Sequence, residues 1–303
     1  MGDAALLACD WGTTHLRAWT LDEAGTVVAS RDFPLGVSKL GAGEAERAFH
    51  ETVRPALKAE RLPALLCGMI GSNLGWRQVD YVPCPAGLEE LRAHMAEVES
   101  GPAPVRIVPG VRGPGLTGGA DVMRGEETQV LGWAAQDAER RRGQRLLCHP
   151  GTHAKWIRLD EGRIGRFVTF MTGELFAVLG AHSVLKSDAP AEDEAAFGEG
   201  LAAAGDGGAL AARLFTARSR VTALGAAQAT TPSYLSGLLI GAECAAAPAA
   251  LGVEGSATVE LIGEPKLCRW YARALEARGV ATVASAGDEA ALAGLMALHR
   301  MDA

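Results

Sequence analysis

The stretch WGTTHLRAWTLDEAG, Trp11–Gly25, returns in the second half of the chain as PGTHAKWIRLDEG, Pro150–Gly162. In both copies an apolar run enters a Gly-Thr bend. A His, a basic residue and a Trp follow, and each copy closes on a Leu-Asp-Glu turn. Apolar runs interrupted by glycine-containing turns read as short strands joined by hairpins. A hairpin that recurs far along one chain predicts two related halves.

Working outward from the first copy, Ala5–Cys9, Leu16–Trp19 and Thr26–Val28 read as three successive strands. Helical pattern covers about 43–60, and strands are expected at 63–70 and Val105–Val108. Beyond the second copy, Phe167–Met171 supplies a third strand and Thr172-Gly173-Glu174 opens an apolar helix through Leu179. The Ala- and Gly-rich span 189–229 reads as helical with variable loops and shows no chemistry. The chain then returns to strand (Val259–Ile262), loop (Gly263-Glu264-Pro265), helix to about Arg278, strand (Val280–Val283) and a final helix from Gly287. This is an α/β pattern. At 303 residues the chain exceeds the size at which one core keeps growing, so two lobes are expected, 1–126 and 127–303.

A formal net charge of −7 with no long basic stretch argues against nucleic acid as a partner. Arg140, Arg141 and Arg142 follow Asp137 and Glu139 and read as a solvated helix end. The six cysteines are scattered without a CxxC pair, which points to a reducing compartment. No basic leader precedes the first strand, so a cytoplasmic protein is expected. The low-polarity run Leu235–Gly252 carries Glu243 and Pro248 and reads as a buried helix, with no membrane contact expected.

The chemistry concentrates at the bends. Asp10, Gly12, Thr13 and Thr14 follow a buried strand directly: Gly12 admits close approach of a phosphate, the threonines offer hydroxyl and N–H donors, and Asp10 can hold Mg²⁺. An ordinary hairpin with an acidic residue before it has the same letters. The second copy, Gly151-Thr152-His153 with Lys155, favours the phosphate reading. Two such bends, one per lobe, would grip a nucleotide from both sides of a cleft, with Arg17 and Lys155 as cationic donors. Asp121, after Gly118-Gly119-Ala120, is expected in a loop at the start of a helix, either as the base that orients an acceptor hydroxyl, with a share in metal binding, or as a plain N-cap. His149 and His153 lack a shared helical face and an accompanying HExxH glutamate, so zinc is not expected. Trp19 and Trp156 read as hairpin anchors.

These residues resemble the sugar kinases of the actin, hexokinase and heat-shock ATPase superfamily, and the whole chain resembles the 2-dehydro-3-deoxygalactonokinase family. The resemblance runs through CDWGTTHLRAW from Cys9, GMIGSNLGW from Gly68, YVPCPAG from Tyr81, DVMRGEETQVLG from Asp121, PGTHAKW from Pro150, FMTGELFAVL from Phe170 and LIGEPKLCRWYARAL from Leu261. It implies two actin-like (ribonuclease H-like) lobes, each a mixed sheet with flanking helices, and an active site between them. It also implies phosphorylation of 2-dehydro-3-deoxy-D-galactonate at its 6-hydroxyl, with ATP and Mg²⁺. Asp10, Thr13, Thr14 and Arg17 match the first phosphate motif, and Gly151, Thr152 and Lys155 the second. Gly263 and Glu264 begin the segment resembling the adenosine motif, and Asp121 falls where such kinases place the base. Pro150 and His153 depart from the simplest form of the second motif.

For the acceptor, Ser38, Ser72 and Asn73 are polar groups of the kind that bind sugar hydroxyls, although turn chemistry explains them equally well. The acceptor's carboxylate needs a cation, and Lys39, Arg77, Arg112 and Arg124 all qualify. A related kinase with another sugar acid or polyol as acceptor shares these features, whereas a sugar-sensing regulator would carry a DNA-binding segment for which the early first hairpin leaves no room. Homo-oligomerisation is left open.

Overall fold

The computed structural model describes residues 3–41, 43–206, 208–253 and 258–301. Its contacts divide the chain into two compact units, one of 1–144 with 159–166 and 287–303, the other of 145–158 with 167–286. The division falls beyond the expected residue 126, and the C-terminal helix groups with the first unit.

The first unit is built on strands β1 (Leu6–Trp11), β2 (Leu16–Leu21), β3 (Val27–Phe33), β4 (Ala64–Gly68), β5 (Val82–Pro83), β6 (Ala96–Val98), β7 (Val105–Ile107), β8 (Val111–Pro114) and β9 (Ala120–Met123). The second is built on β10 (Gln144–His149), β11 (Ala154–Asp160), β12 (Arg163–Phe170), β13 (Thr258–Gly263) and β14 (Ala281–Ala286), although the end of β11 and the start of β12, within 159–166, group with the first unit. Six helices of ten residues or more accompany them among the described residues: α1 (Glu126–Ala135), α2 (Thr172–His182), α3 (Glu194–Ala204), α4 (Thr231–Leu251), α5 (Pro265–Glu276) and α6 (Gly287–Arg300).

The main sheet of the first unit runs β3-β2-β1-β4-β7-β6, and the sheet of the second runs β12-β11-β10-β13-β14. In the first, β1 pairs antiparallel with β2 and parallel with β4, and β4 runs parallel to β7. In the second, β10 and β13 are parallel, as are β13 and β14. A three-strand meander followed by parallel strands therefore occurs twice, as the repeated hairpin predicts. The apolar repeat buries Trp11, Leu16 and Ala18 in the first core and Ala154 and Trp156 in the second.

Close helix packing fixes α6 on the first unit. A Cβ on Gly132 of α1 would lie 2.1 Å from the Ala290 carbonyl oxygen, and one on Gly294 of α6 would lie 2.2 Å from that of Thr128. Only hydrogen at both positions lets the two backbones meet. Helix α4 is long and apolar enough to cross a membrane, but most of the relevant window is buried inside the protein. It is a core helix, and its buried Glu243 accepts hydrogen bonds from the Trp156 indole and the Tyr271 hydroxyl.

Asp121 departs from expectation in its setting. It lies within β9 opposite Gly113, in a small sheet ordered β5-β8-β9, and its Oδ1 accepts from the Val122 amide. The helix begins only at Glu126. The alternation on β9 is too short for its strand character to register in sequence.

Candidate active site

In the first unit, β1 delivers Asp10 to the sheet's C-terminal edge, beside Arg17 on β2 and Cys67 on β4. Gly12 to His15 form the tight bend, closed by the Gly12 amide on the His15 carbonyl at 2.9 Å. Thr13 and Thr14 stand exposed at its tip. Arg17 is half exposed and faces a second carboxylate, Asp32 on β3, at 3.8 Å. Burial pushes the Asp10 carboxyl up to about 6 against the opposing pull of Arg17, and Glu126 and Asp288 add to the rise. Asp10 thus sits where excess negative charge would be relieved by a divalent cation.

Two glycines with left-handed φ bring the start of α1 to this edge. Gly68 has φ +88° and Gly125 φ +108°; a Cβ on Gly125 would lie 3.3 Å from the Gly68 Cα, and one on Gly68 would lie 3.2 Å from Asp10 Oδ1. Behind them, the Cys67 thiol contacts Asp10 Oδ1 at 3.8 Å and the Thr128 side chain. The Thr128 hydroxyl donates to Glu127 Oε1 at 2.9 Å, and Glu127 Oε2 accepts from the Gly125 amide at 2.7 Å. Glu127 is wholly buried; that burial, with Glu126 beside it, raises its carboxyl to about 8. A continuous polar chain thus links Asp10 to the first turn of α1. Glu126 and Glu127 escaped the sequence reading because GEETQ looks like a helix start.

The acceptor candidates separate. The Ser38 hydroxyl donates to the Thr13 carbonyl at 2.7 Å, so it braces the phosphate bend. The Ser72 hydroxyl donates to the Met69 carbonyl and accepts from the Leu74 amide, so the turn uses both its capacities. Asn73 is exposed in that same turn. Lys39 and Arg77 are exposed and donate to the Pro34 and Glu97 carbonyls, while Arg112 is exposed on β8. Arg124 alone among the four is buried.

In the second unit, Gly151 and Thr152 border a cavity of about 690 Å³ together with Thr172, Phe197, Ser236, Glu264, Lys266 and Trp270. This is within the range of nucleotide- and drug-sized sites, mostly apolar with a few polar groups at its edge. The start of α2 presses on the bend: the Glu174 amide donates to the Thr152 carbonyl at 3.0 Å, and a Cβ on Gly173 would meet the Gly151 carbonyl oxygen at 2.5 Å. A helix N-terminus over a Gly-Thr bend offers N–H donors and a positive dipole end to a phosphate. His153, whose contact was open, pairs with Glu174.

Glu264 spends its carboxylate on its own helix, accepting from the Lys266 and Leu267 amides at 3.0 and 2.8 Å. Gly263, at φ +154°, ends β13 beside Pro150. Lys155 is not among the residues that line the cavity; it is 5 % exposed and its ammonium donates to the His153 carbonyl at 3.0 Å. Under the floor, Glu243 is 2 % exposed and ties Trp156, Tyr271 and Thr172 together; burial raises its carboxyl to about 7 against those hydrogen bonds. Pro190, Ala191, Glu192 and Phe197 also line the cavity, although the span 189–229 carried no visible chemistry. Their signal lies in tertiary placement alone. Among the described residues no group of three or more His, Cys, Asp or Glu is placed to hold a metal ion.

A family model described as 2-keto-3-deoxy-galactonokinase matches residues 10–298. A protein of Rhizobium meliloti (strain 1021) named "Probable 2-dehydro-3-deoxygalactonokinase DgoK1" is 38% identical over 97% of this chain and 96% of its own. The 2-dehydro-3-deoxygalactonokinase of Escherichia coli (strain K12) is 33% identical over 97% of both chains. The crystal structure of "a putative 2-dehydro-3-deoxygalactonokinase protein from Sinorhizobium meliloti" superposes with a TM-score of 0.86 at 38% identity, covering 98% of this chain and 99% of that one.

Proposed function

The chain belongs to the 2-keto-3-deoxy-galactonokinase family, and from that premise we propose that it transfers the γ-phosphoryl group of ATP to the 6-hydroxyl of 2-dehydro-3-deoxy-D-galactonate, a step of galactonate breakdown, in the cytoplasm. The observation that carries the nucleotide half is the cavity bordered by Gly151, Thr152 and Glu264, residues far apart in sequence that converge on one opening. The adenine and ribose occupy its apolar interior, and the phosphates lie toward Gly151, Thr152 and the start of α2. Lys155 and Gly263 shape the bend and its neighbouring strand end from behind.

Thr13, Thr14 and Gly12 serve the phosphates from the first bend, and Arg17 offsets their charge. Asp10 is the residue that fits Mg²⁺: a single half-buried carboxyl at a phosphate bend suits an ion that keeps most of its waters and takes one or two protein carboxylates. Bound there, Mg²⁺ supplies neutralisation of charge developing between the β- and γ-phosphates. Asp121 orients the acceptor hydroxyl and takes its proton, and Asn73 binds an acceptor hydroxyl from the turn after β4.

The test is ADP release with the keto-deoxy acid against a panel of sugar acids, polyols and aldoses. A strong preference for a plain aldose rejects the acceptor. Asp121→Asn is expected to bind ATP and the acid normally and to lose about 10²-fold or more in turnover, as for loss of a positioned base. Unchanged turnover removes Asp121 from that role.

A further inference from the structure

We propose that Arg124 is the receptor for the acceptor's C1 carboxylate, an inference that rests on the sugar-acid kinase reading above. Four cations were equivalent in sequence, and their surroundings are not. Arg124 is 7 % exposed, at the junction between β9 and α1. Its Nη2 donates to the Val79 carbonyl at 2.6 Å and its guanidinium lies 4.3 Å from the Tyr81 ring centroid. Nε and Nη1 are buried and have no hydrogen-bond partner. A guanidinium carries five N–H donors, so most of the hydrogen-bonding capacity of this one is unspent.

Two other buried arginines differ from Arg124 in what neutralises or shares the charge. Arg220 pairs with Glu199 at 2.6 Å and donates to Thr230. Arg54, stacked on Phe49, also leaves Nε and Nη2 without hydrogen-bond partners, but its Nη1 gathers the Ala59 and Leu62 carbonyls at 2.6 and 2.8 Å. Among the described residues Arg124 pairs with no carboxylate, and its guanidinium bonds the single Val79 carbonyl. A buried cation is costly without a counter-charge, and the balance is restored when an anionic ligand arrives. The location agrees: Gly125, the next residue, abuts Gly68, which abuts Asp10. On its other side, a Cβ on Gly71 would stand 2.8 Å from Nη1, so the glycine of the Gly71-Ser72-Asn73 turn leaves room for the guanidinium. Planar fork geometry matches a carboxylate better than an ammonium does, and a dry site strengthens the match.

The probe pair is 2-dehydro-3-deoxy-D-galactonate and its C1 amide, which differ in the charge of one group. Wild-type enzyme is expected to prefer the acid strongly in kcat/KM. Arg124→Lys and Arg124→Gln should raise KM for the acid by about 100-fold, the scale for removing one member of a buried charge pair. The amide's KM and the ATP KM should stay within about threefold, since a neutral C1 group and the nucleotide draw little on that charge. Equal losses for acid and amide, or an undiminished preference for the acid in both variants, overturn the assignment. If the variants do not fold, wild type still decides: an exchange-protected arginine Nε–H resonance should move downfield on adding the acid without ATP and stay in place with the amide. No such movement also overturns the assignment. A wild-type enzyme that phosphorylates neither compound removes the proposed acceptor itself, a distinct failure.

Discussion

Replacing Glu243 by Gln should abolish a defined part of the protein's pH dependence. In the fold this carboxyl holds its proton up to about 7, because it is buried beneath the nucleotide cavity, whereas an unfolded chain releases it near 4.5. Stability from this group is therefore complete below pH 4.5 and lost as pH rises through 7. The gap corresponds to about 3 kcal/mol at 1.36 kcal/mol per pH unit. Trp156 and Tyr271 donate to different oxygens of Glu243; Gln keeps one oxygen for the Trp156 indole, turns its NH2 toward the Tyr271 hydroxyl oxygen as a donor, and cannot ionise. Urea unfolding followed by tryptophan fluorescence between pH 5 and 8 should show wild type and variant within about 1 kcal/mol at pH 5, the scale of one exchanged hydrogen bond. By pH 8 the variant should be ahead by about 2–3 kcal/mol. Glu127 and Asp10 push the wild-type curve the same way, and the difference between the two proteins cancels them. Parallel curves would show that Glu243 is ionised in the fold and refute the reasoning.

Gly173→Ala should weaken ADP binding about tenfold or more while leaving the acceptor's KM alone, since its methyl meets main-chain atoms of Gly151 and Thr152 that cannot yield without moving the bend; calorimetric titration with ADP measures it, and unaltered affinity removes the bend from the phosphate site. Asp10→Asn should raise the melting temperature and depress turnover together, because it deletes a half-buried charge near Glu126 and Asp288 and with it the Mg²⁺ ligand; a variant that is both less stable and fully active contradicts both halves. Glu264→Ala should cost about 1 kcal/mol in stability by uncapping α5, with only a small change in nucleotide affinity. A large loss of affinity at unchanged stability would instead make Glu264 a direct ligand.

The duplicated meander was legible because each copy carries its own punctuation: Gly-Thr, then Trp, then Leu-Asp-Glu. Strand and helix order follow from such local signals. Asp121 shows where they stop, since a four-residue strand has too little alternation to outweigh the glycines before it. Glu264 and Ser38 have the sequence setting of ligand groups, and both are engaged with main chain, one with its own helix and one with the first bend. Polar residues beside a turn carry the same letters in either role. Arg124 was indistinguishable from Lys39, Arg77 and Arg112 until burial separated it. The polar chain from Asp10 through Cys67 and Thr128 to Glu127 joins three distant segments, and only the register of β1 with β4 brings them together.

Helix α6 follows the whole of the second unit in sequence yet belongs with the first, seated on α1 through Gly132 and Gly294. On the ribosome, the opening unit must therefore wait, with the face of α1 uncovered, while the whole of the other unit is made. A nascent chain stalled before Gly287 should be caught in that half-finished condition, open to chaperones and proteases until its closing segment emerges.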